Sequence, residues 1–143
     1  MLLRSLLTAA LLLWPACTPG APKAGAADCG DFLAAVGHKP EGLEFLGCEK
    51  GANAQLAVLR ARYRVRGTDA ARVEEYLAFY SGMPRLRFAC CGWENDRSGH
   101  GRLGKAEEYA ENMHSEETLY SHREEWILVP WFYVIAEFFL EDP

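Results

Sequence analysis

The chain has 143 residues, 15 Lys and Arg against 20 Asp and Glu, a formal net charge of -5 and a hydrophobic share of 50%. One globular core fits this length and two do not. The acidic balance argues against nucleic acid as a partner, because few basic groups are free to contact phosphates.

The first stretch, MLLRSLLTAALLLW, carries one basic residue, Arg4, and an apolar run from Leu6 to Trp14 broken only by Thr8. That pattern reads as a signal peptide over 1–16, too short for a span of about 20 apolar residues. Two processing points follow. Cys17 behind Ala16 is the preferred one, as the lipidated first residue of a bacterial lipoprotein. Ordinary cleavage near Ala26 is the alternative and would discard Cys17. Residues 18–28 are mostly Pro, Gly and Ala, so 17–28 reads as a flexible tether and 29–143 as a single domain.

Along that domain, CGDFLAAVG predicts a short helix with Phe32, Leu33 and Val36 on one face and a stop at Gly37. LEFLGCE reads as a strand carrying Cys48. In QLAVLRARYRVRG, Leu59, Ala61, Tyr63 and Val65 alternate with Arg60, Arg62, Arg64 and Arg66, the period of a strand with one buried face. A helix follows with Thr68 or Asp69 as N-cap, Val73, Tyr76, Leu77 and Tyr80 at helical spacing, and Gly82 and Pro84 at its end. RLRFACCGW alternates again and reads as one strand. A glycine-rich loop from Ser98 to Gly104 precedes a polar strand near Glu108 to Ser115, then a charged loop, then the closing strand PWFYVIAEFFLED. Pro130 and Glu137 interrupt that last run, which falls short of a membrane span. The expected architecture is α+β: an antiparallel sheet of about five strands with two helices packed on one face, in the order α-β-β-α-β-β-β.

Five cysteines stand at 17, 29, 48, 90 and 91. With Cys17 anchoring or discarded, four remain in an exported chain, which favours two disulfides. Adjacent cysteines seldom bond each other, because the usual Cα separation of a disulfide is about 4.4–6.8 Å. In a strand Cys90 and Cys91 would point to opposite faces. The favoured pairing is therefore Cys29 with Cys90 and Cys48 with Cys91, with the swapped pairing left open. Each bridge would contribute about 2–4 kcal/mol. A metal site is disfavoured because no C-x-x-C spacing is present.

CGDFL at 29–33, KPEGLEFLGCE at 39–49, LRARYRV at 59–65, CCGWE at 90–94, SEET at 115–118, FYV and the closing LED together resemble the bacterial domain-of-unknown-function family 4952. The resemblance spans nearly the whole chain beyond the tether. It implies export and a single domain, and it implies no activity, so no functional residue is carried over from it.

Three sets of side chains are candidates for function. The arginine stripe, Arg60, Arg62, Arg64 and Arg66, extended by Arg85 and Arg87 if they share the face, would bind a small anionic ligand or an acidic partner through guanidinium forks. The plain alternative is a solvated face balanced by Glu137 and the glutamates between Lys105 and Glu125. His100, His114, Glu116 and Glu117 offer acid/base chemistry, yet no nucleophile motif accompanies them. Trp93, Trp126 and Trp131 are either a ligand groove or core. The expected function is a non-catalytic binding module held at the periplasmic side of the envelope by its lipid, without a cofactor. The alternatives are a periplasmic inhibitor or immunity-type protein with an acidic plug at 105–125, and, with least support, a small hydrolase using His114 and a glutamate.

Overall fold

A computed structural model describes residues 29–103 and 107–140. The expected signal peptide, Cys17 and the expected tether lie outside the described residues. The elements run α1 (Phe32–Ala35), β1 (Glu44–Asn53), β2 (Leu56–Arg66), α2 (Gly67–Ser81), β3 (Arg87–Ala89), β4 (Gly92–Glu94), β5 (Gly99–Leu103), β6 (Glu107–Ser115), a 3-10 helix (Arg123–Leu128) and β7 (Trp131–Phe139). All pairings are antiparallel, in the order β1-β2-β7-β6-β4-β3, with β5 also on β6. The sheet therefore has seven strands rather than about five. The expected strand RLRFACCGW is a hairpin of two short strands, the glycine-rich loop contains β5, and part of the charged loop is the 3-10 helix.

Period-two alternation decides the two faces. Leu59, Ala61, Tyr63 and Val65 of β2 are wholly buried, as are Phe132, Val134, Ala136 and Phe138 of β7 beside them. Both α-helices and the 3-10 helix cover this face. Phe32 and Leu33 of α1, Val73 and Leu77 of α2 and Trp126 of the 3-10 helix join one core with them. Asp31 caps α1 by accepting from the Ala34 N–H at 3.1 Å. The Tyr63 hydroxyl accepts from the Leu33 N–H at 3.2 Å, and burial holds its pKa above the ordinary tyrosine value. Helix α2 ends where expected, at Gly82 in the left-handed conformation with φ 66°. Its start differs: Arg66 is the N-cap residue, and no side chain caps the helix there. What fixes that end is contact. A Cβ on Gly67 would overlap the carbonyl oxygens of Trp126 and Val129, so only glycine lets α2 meet the 3-10 helix this closely.

Glu74 is the main polar feature between α2 and its surroundings. Its carboxylate is fully buried and accepts from Arg123 at 2.8 Å to each oxygen, from the Leu86 N–H at 2.6 Å and from Arg85 at 3.1 Å. Burial alone would raise its pKa, but these donors together bring it below the ordinary carboxylate value. Arg85 thus belongs to the helix side and not to the arginine face.

Among the described residues one disulfide is present, Cys29–Cys48, with a Cα separation of 5.4 Å. It ties the approach to α1 to the edge strand β1, and both expected pairings to Cys90 and Cys91 are overturned. The physical reason is local. Ala89 pairs with Gly92, so Cys90 and Cys91 are the two central residues of a hairpin turn rather than strand residues with opposed faces. Both are exposed free thiols. Strand β1 also departs from regularity, with a register shift between Phe45 and Gly47.

Glu111 is buried on the helix-covered face of β6, with both carboxylate oxygens unpartnered among the described residues. Its neighbours are Tyr109 on β6 and Tyr76 and Ser81 on α2. The single Ser81 hydroxyl proton goes to the Leu77 carbonyl at 2.7 Å, which leaves no donor for Glu111. Burial raises its pKa from 4.5 to about 7.

Cys48→Ser closes off the α1–β1 tie and is expected to lower stability by about 3 kcal/mol, read from urea unfolding. Because the folded Glu111 holds its proton more tightly than the unfolded chain, its contribution is complete below pH 4.5 and lost as pH rises through about 7. The loss amounts to roughly 3 kcal/mol. Urea midpoints should therefore fall over that window in the wild type and flatten in Glu111→Gln; equal slopes in both would refute a buried protonated carboxylate.

Candidate functional site

The face of the sheet turned away from the helices has no covering element among the described residues. Register places one row of side chains straight across it: Glu44, Arg64, Tyr133, His114, Glu94 and Arg87, one from each strand of the six-strand path. Beside it runs a second row with Arg62, Ile135 and Asn112, and beyond that Arg60, Glu137, Ala110 and His100. Arg87 therefore joins the arginine face, whereas Arg85 does not.

Most of the stripe is engaged. Arg60 meets the nearly buried Glu137 at 2.6 Å, and Asn53 donates to the other oxygen of that carboxylate at 2.5 Å. Arg64 meets Glu44 at 2.8 Å and lies over the Trp131 ring at 4.1 Å, with Arg66 over the same ring at 4.8 Å. Arg62 is the exception: its approach to Glu49 is 3.8 Å, with both side chains about half exposed. A pair of that kind contributes little. Balance by acids was expected from Glu137 and the 105–125 segment; Glu137 does this for Arg60 and Glu44 of β1 for Arg64, while Arg62 has only the distant Glu49.

Two concave regions meet at His114. One, of about 350 Å³, lies over the sheet between Leu46, Arg62, His114, Tyr133 and Ile135. The other, of about 400 Å³, is acidic, with His114, Glu94, Glu116 and Glu117 around Cys91 and Asn112. His114 stacks on Tyr133 with ring centroids 5.6 Å apart, and the Tyr133 hydroxyl donates to Glu116 at 3.0 Å. Burial lowers the His114 pKa, opposed in part by the neighbouring Glu94. His114, Glu116 and Glu117 are thus brought together as expected, whereas His100 sits along the face outside both regions.

The segments CCGW and SEET form one unit. The Trp93 N–H donates to Ser115 Oγ at 2.9 Å, and the Thr118 N–H donates to the Cys91 carbonyl at 2.7 Å. Trp93 and Trp126 pack against each other in the core, edge to face at 5.1 Å, and do not form a groove. Trp131 alone of the three serves the open face.

Cys91 shares the acidic region with His114, and its thiol pKa is raised by Cys90 and, to a smaller degree, by burial, Glu117 and Glu94. No cluster of three metal-ligating side chains occurs among the described residues. Glu94, Tyr133 and Ile135 complete the site and were not singled out from the sequence. The signal for Tyr133 and Ile135 was the alternation of the closing strand, which becomes informative only once its register against β2 is known, and Glu94 enters through the pairing of β4 with His114.

Fold and site together define a single-sheet α+β domain with one face packed and one face open and charged. The chain belongs to a family of domains of unknown function, DUF4952, whose model matches residues 19–93, just over half the chain. That match runs through most of β4 and includes Cys29, Cys48, Cys90 and Cys91. No curated protein and no solved structure matches the chain.

The His114 environment gives a direct expectation. Its imidazole should titrate below the ordinary value of 6.5 in NMR, and Glu94→Gln should lower it further by removing the charge that favours the imidazolium. An upward shift in Glu94→Gln would show that the two groups do not interact as placed.

Proposed function

We propose that this protein is a non-catalytic binding module, exported and lipid-anchored at Cys17, whose open sheet face takes a small ligand or side chain combining an apolar body with an anionic group. The observation that carries this reading is Arg62. Of the four arginines on β2 it alone lacks a close carboxylate or aromatic partner among the described residues, and it borders a groove whose other walls are Leu46, Ile135, Tyr133 and His114. An apolar floor with one uncommitted guanidinium and one imidazole suits such a ligand, the apolar part lying on Ile135 and the anion on Arg62. Export draws support from Cys29–Cys48, since disulfides persist in oxidising compartments. Within the acidic segment 105–125, Glu111 is buried in β6 and Glu125 accepts from the His122 N–H at 3.0 Å, while Glu116 and Glu117 line the acidic region beside His114.

The anionic aromatic dye 8-anilinonaphthalene-1-sulfonate serves as a probe of this groove. Saturable binding is expected in the wild type, weakened about tenfold or more by Arg62→Glu and unchanged in His100→Ala, with urea midpoints alike in all three. Equal dye affinity in the wild type and Arg62→Glu would sink the proposal. Mass spectrometry of the mature N-terminus separates a diacylglyceryl Cys17 from a free alanine, and the latter would remove the anchor.

A further inference from the structure

Cys90 and Cys91 stand apart from the proposed function and are chemically the most unusual pair in the molecule. Among the described residues one disulfide is closed, Cys29–Cys48, and these two thiols are left free and exposed. They occupy the two central positions of the β3–β4 turn, with Cys90 at φ 56°. Side chains other than Gly, Asn or Asp rarely adopt that conformation, and Gly is the residue such hairpin turns favour at the first central position. Cysteine is held here against local backbone preference. The two thiols are chain neighbours, both exposed at the same turn.

We propose that Cys90 and Cys91 form a redox-active dithiol that closes reversibly to a disulfide between chain neighbours, with a low-molecular-weight disulfide as the oxidant. In the first step the Cys90 thiolate attacks one sulfur of the oxidant; a sulfur–sulfur bond forms to Cys90, the oxidant's own sulfur–sulfur bond breaks, and one thiolate leaves. In the second the Cys91 thiolate attacks the Cys90 sulfur, forming the intrachain bond and releasing the other thiolate. The pair gives up two electrons and two protons, and the oxidant becomes two thiols. Cys91 takes the second role because Cys90, Glu117 and Glu94 all oppose its ionisation.

Geometry makes this bond a switch and not a staple. Neighbouring Cα atoms across a trans peptide are about 3.8 Å apart. That is below the usual disulfide range of about 4.4–6.8 Å, so the bond is strained and easily reduced. Cys29 and Cys48, at 5.4 Å, fall within the range. The switch is also placed to be felt. Cys91 lines the acidic region beside His114 and a second depression against Leu119, Tyr120 and Leu128. Its carbonyl anchors Thr118. Drawing the Cys91 side chain toward Cys90 changes the wall shared by both depressions.

The test equilibrates the full chain across a series of reduced and oxidised glutathione ratios, quenches with iodoacetamide and maps the peptides by mass spectrometry. The peptide holding Cys90 and Cys91 is expected to pass from two alkyl groups to none, with the loss of two hydrogens, in monomeric protein. Cys29–Cys48 should open only at ratios at least about tenfold more reducing. In Cys91→Ser the first step should be trapped as a glutathione adduct on Cys90. Two alkyl groups at every ratio, a stable glutathione adduct in the wild type, or a disulfide-linked dimer as the oxidised end point would each overturn the proposal.

Discussion

The Glu74 carboxylate sits wholly out of water in the middle of the molecule, and the arrangement around it depends on keeping it satisfied. Three sources supply the donors: the 3-10 helix through Arg123, the approach to β3 through Arg85, and the backbone N–H of Leu86. A buried carboxylate deprived of its partner costs about 3–5 kcal/mol, so these segments are obliged to converge on α2. Arg123 does more than pair. It also donates to the Leu86 carbonyl at 2.7 Å and lies over the Trp126 ring at 4.6 Å. Gly67 fixes the other end of α2 on the 3-10 helix. The segment from Ser115 to Pro130, which walls both the acidic region and the depression beside Cys91, is held from behind by this clamp.

From that anchoring follows the division of the sheet. One face must receive α1, α2 and the 3-10 helix, and its residues are almost all aliphatic or aromatic. The opposite face is free to carry charge, and antiparallel register turns side chains far apart in sequence into straight rows. The six-residue row from Glu44 to Arg87 is assembled from six strands and is invisible in any one of them. Within it Glu44 pairs with Arg64, and the β2 arginine left with the weakest partner lies in the adjoining row over apolar ground.

Several features were legible in the sequence because a single local rule determines them. The alternation in β2 placed Leu59, Ala61, Tyr63 and Val65 inside and the arginines outside. Gly82 ended α2, and the β-branched and aromatic closing run became β7. Failures came where tertiary contact decides. The glycines at 99 and 101 read as a loop, yet their small size serves β5: a Cβ at Gly99 would collide with Ser81 and Met83, and one at Gly101 with the Tyr109 ring. The cysteine turn was hidden because neither Cys90 nor Cys91 is a turn-forming residue, so alternation ran through it unbroken and suggested staples in two directions. The site was half legible: His114, Glu116 and Glu117 are close in sequence and in space, while Glu94 and Tyr133 reach them only through strand pairing.

The irregularity in β1 has a consequence for how this molecule behaves among copies of itself. That strand is the outermost on its side of the sheet, and ten residues of open backbone would be a template for joining another chain edge to edge. The shift between Phe45 and Gly47 breaks the run of evenly spaced donors and acceptors, and Glu44, Glu49 and Lys50 set charges along it. With Cys48 tethered from the side, the strand is held in a shape that a second flat strand would fit poorly, which protects a domain with so much extended structure from fibrous association.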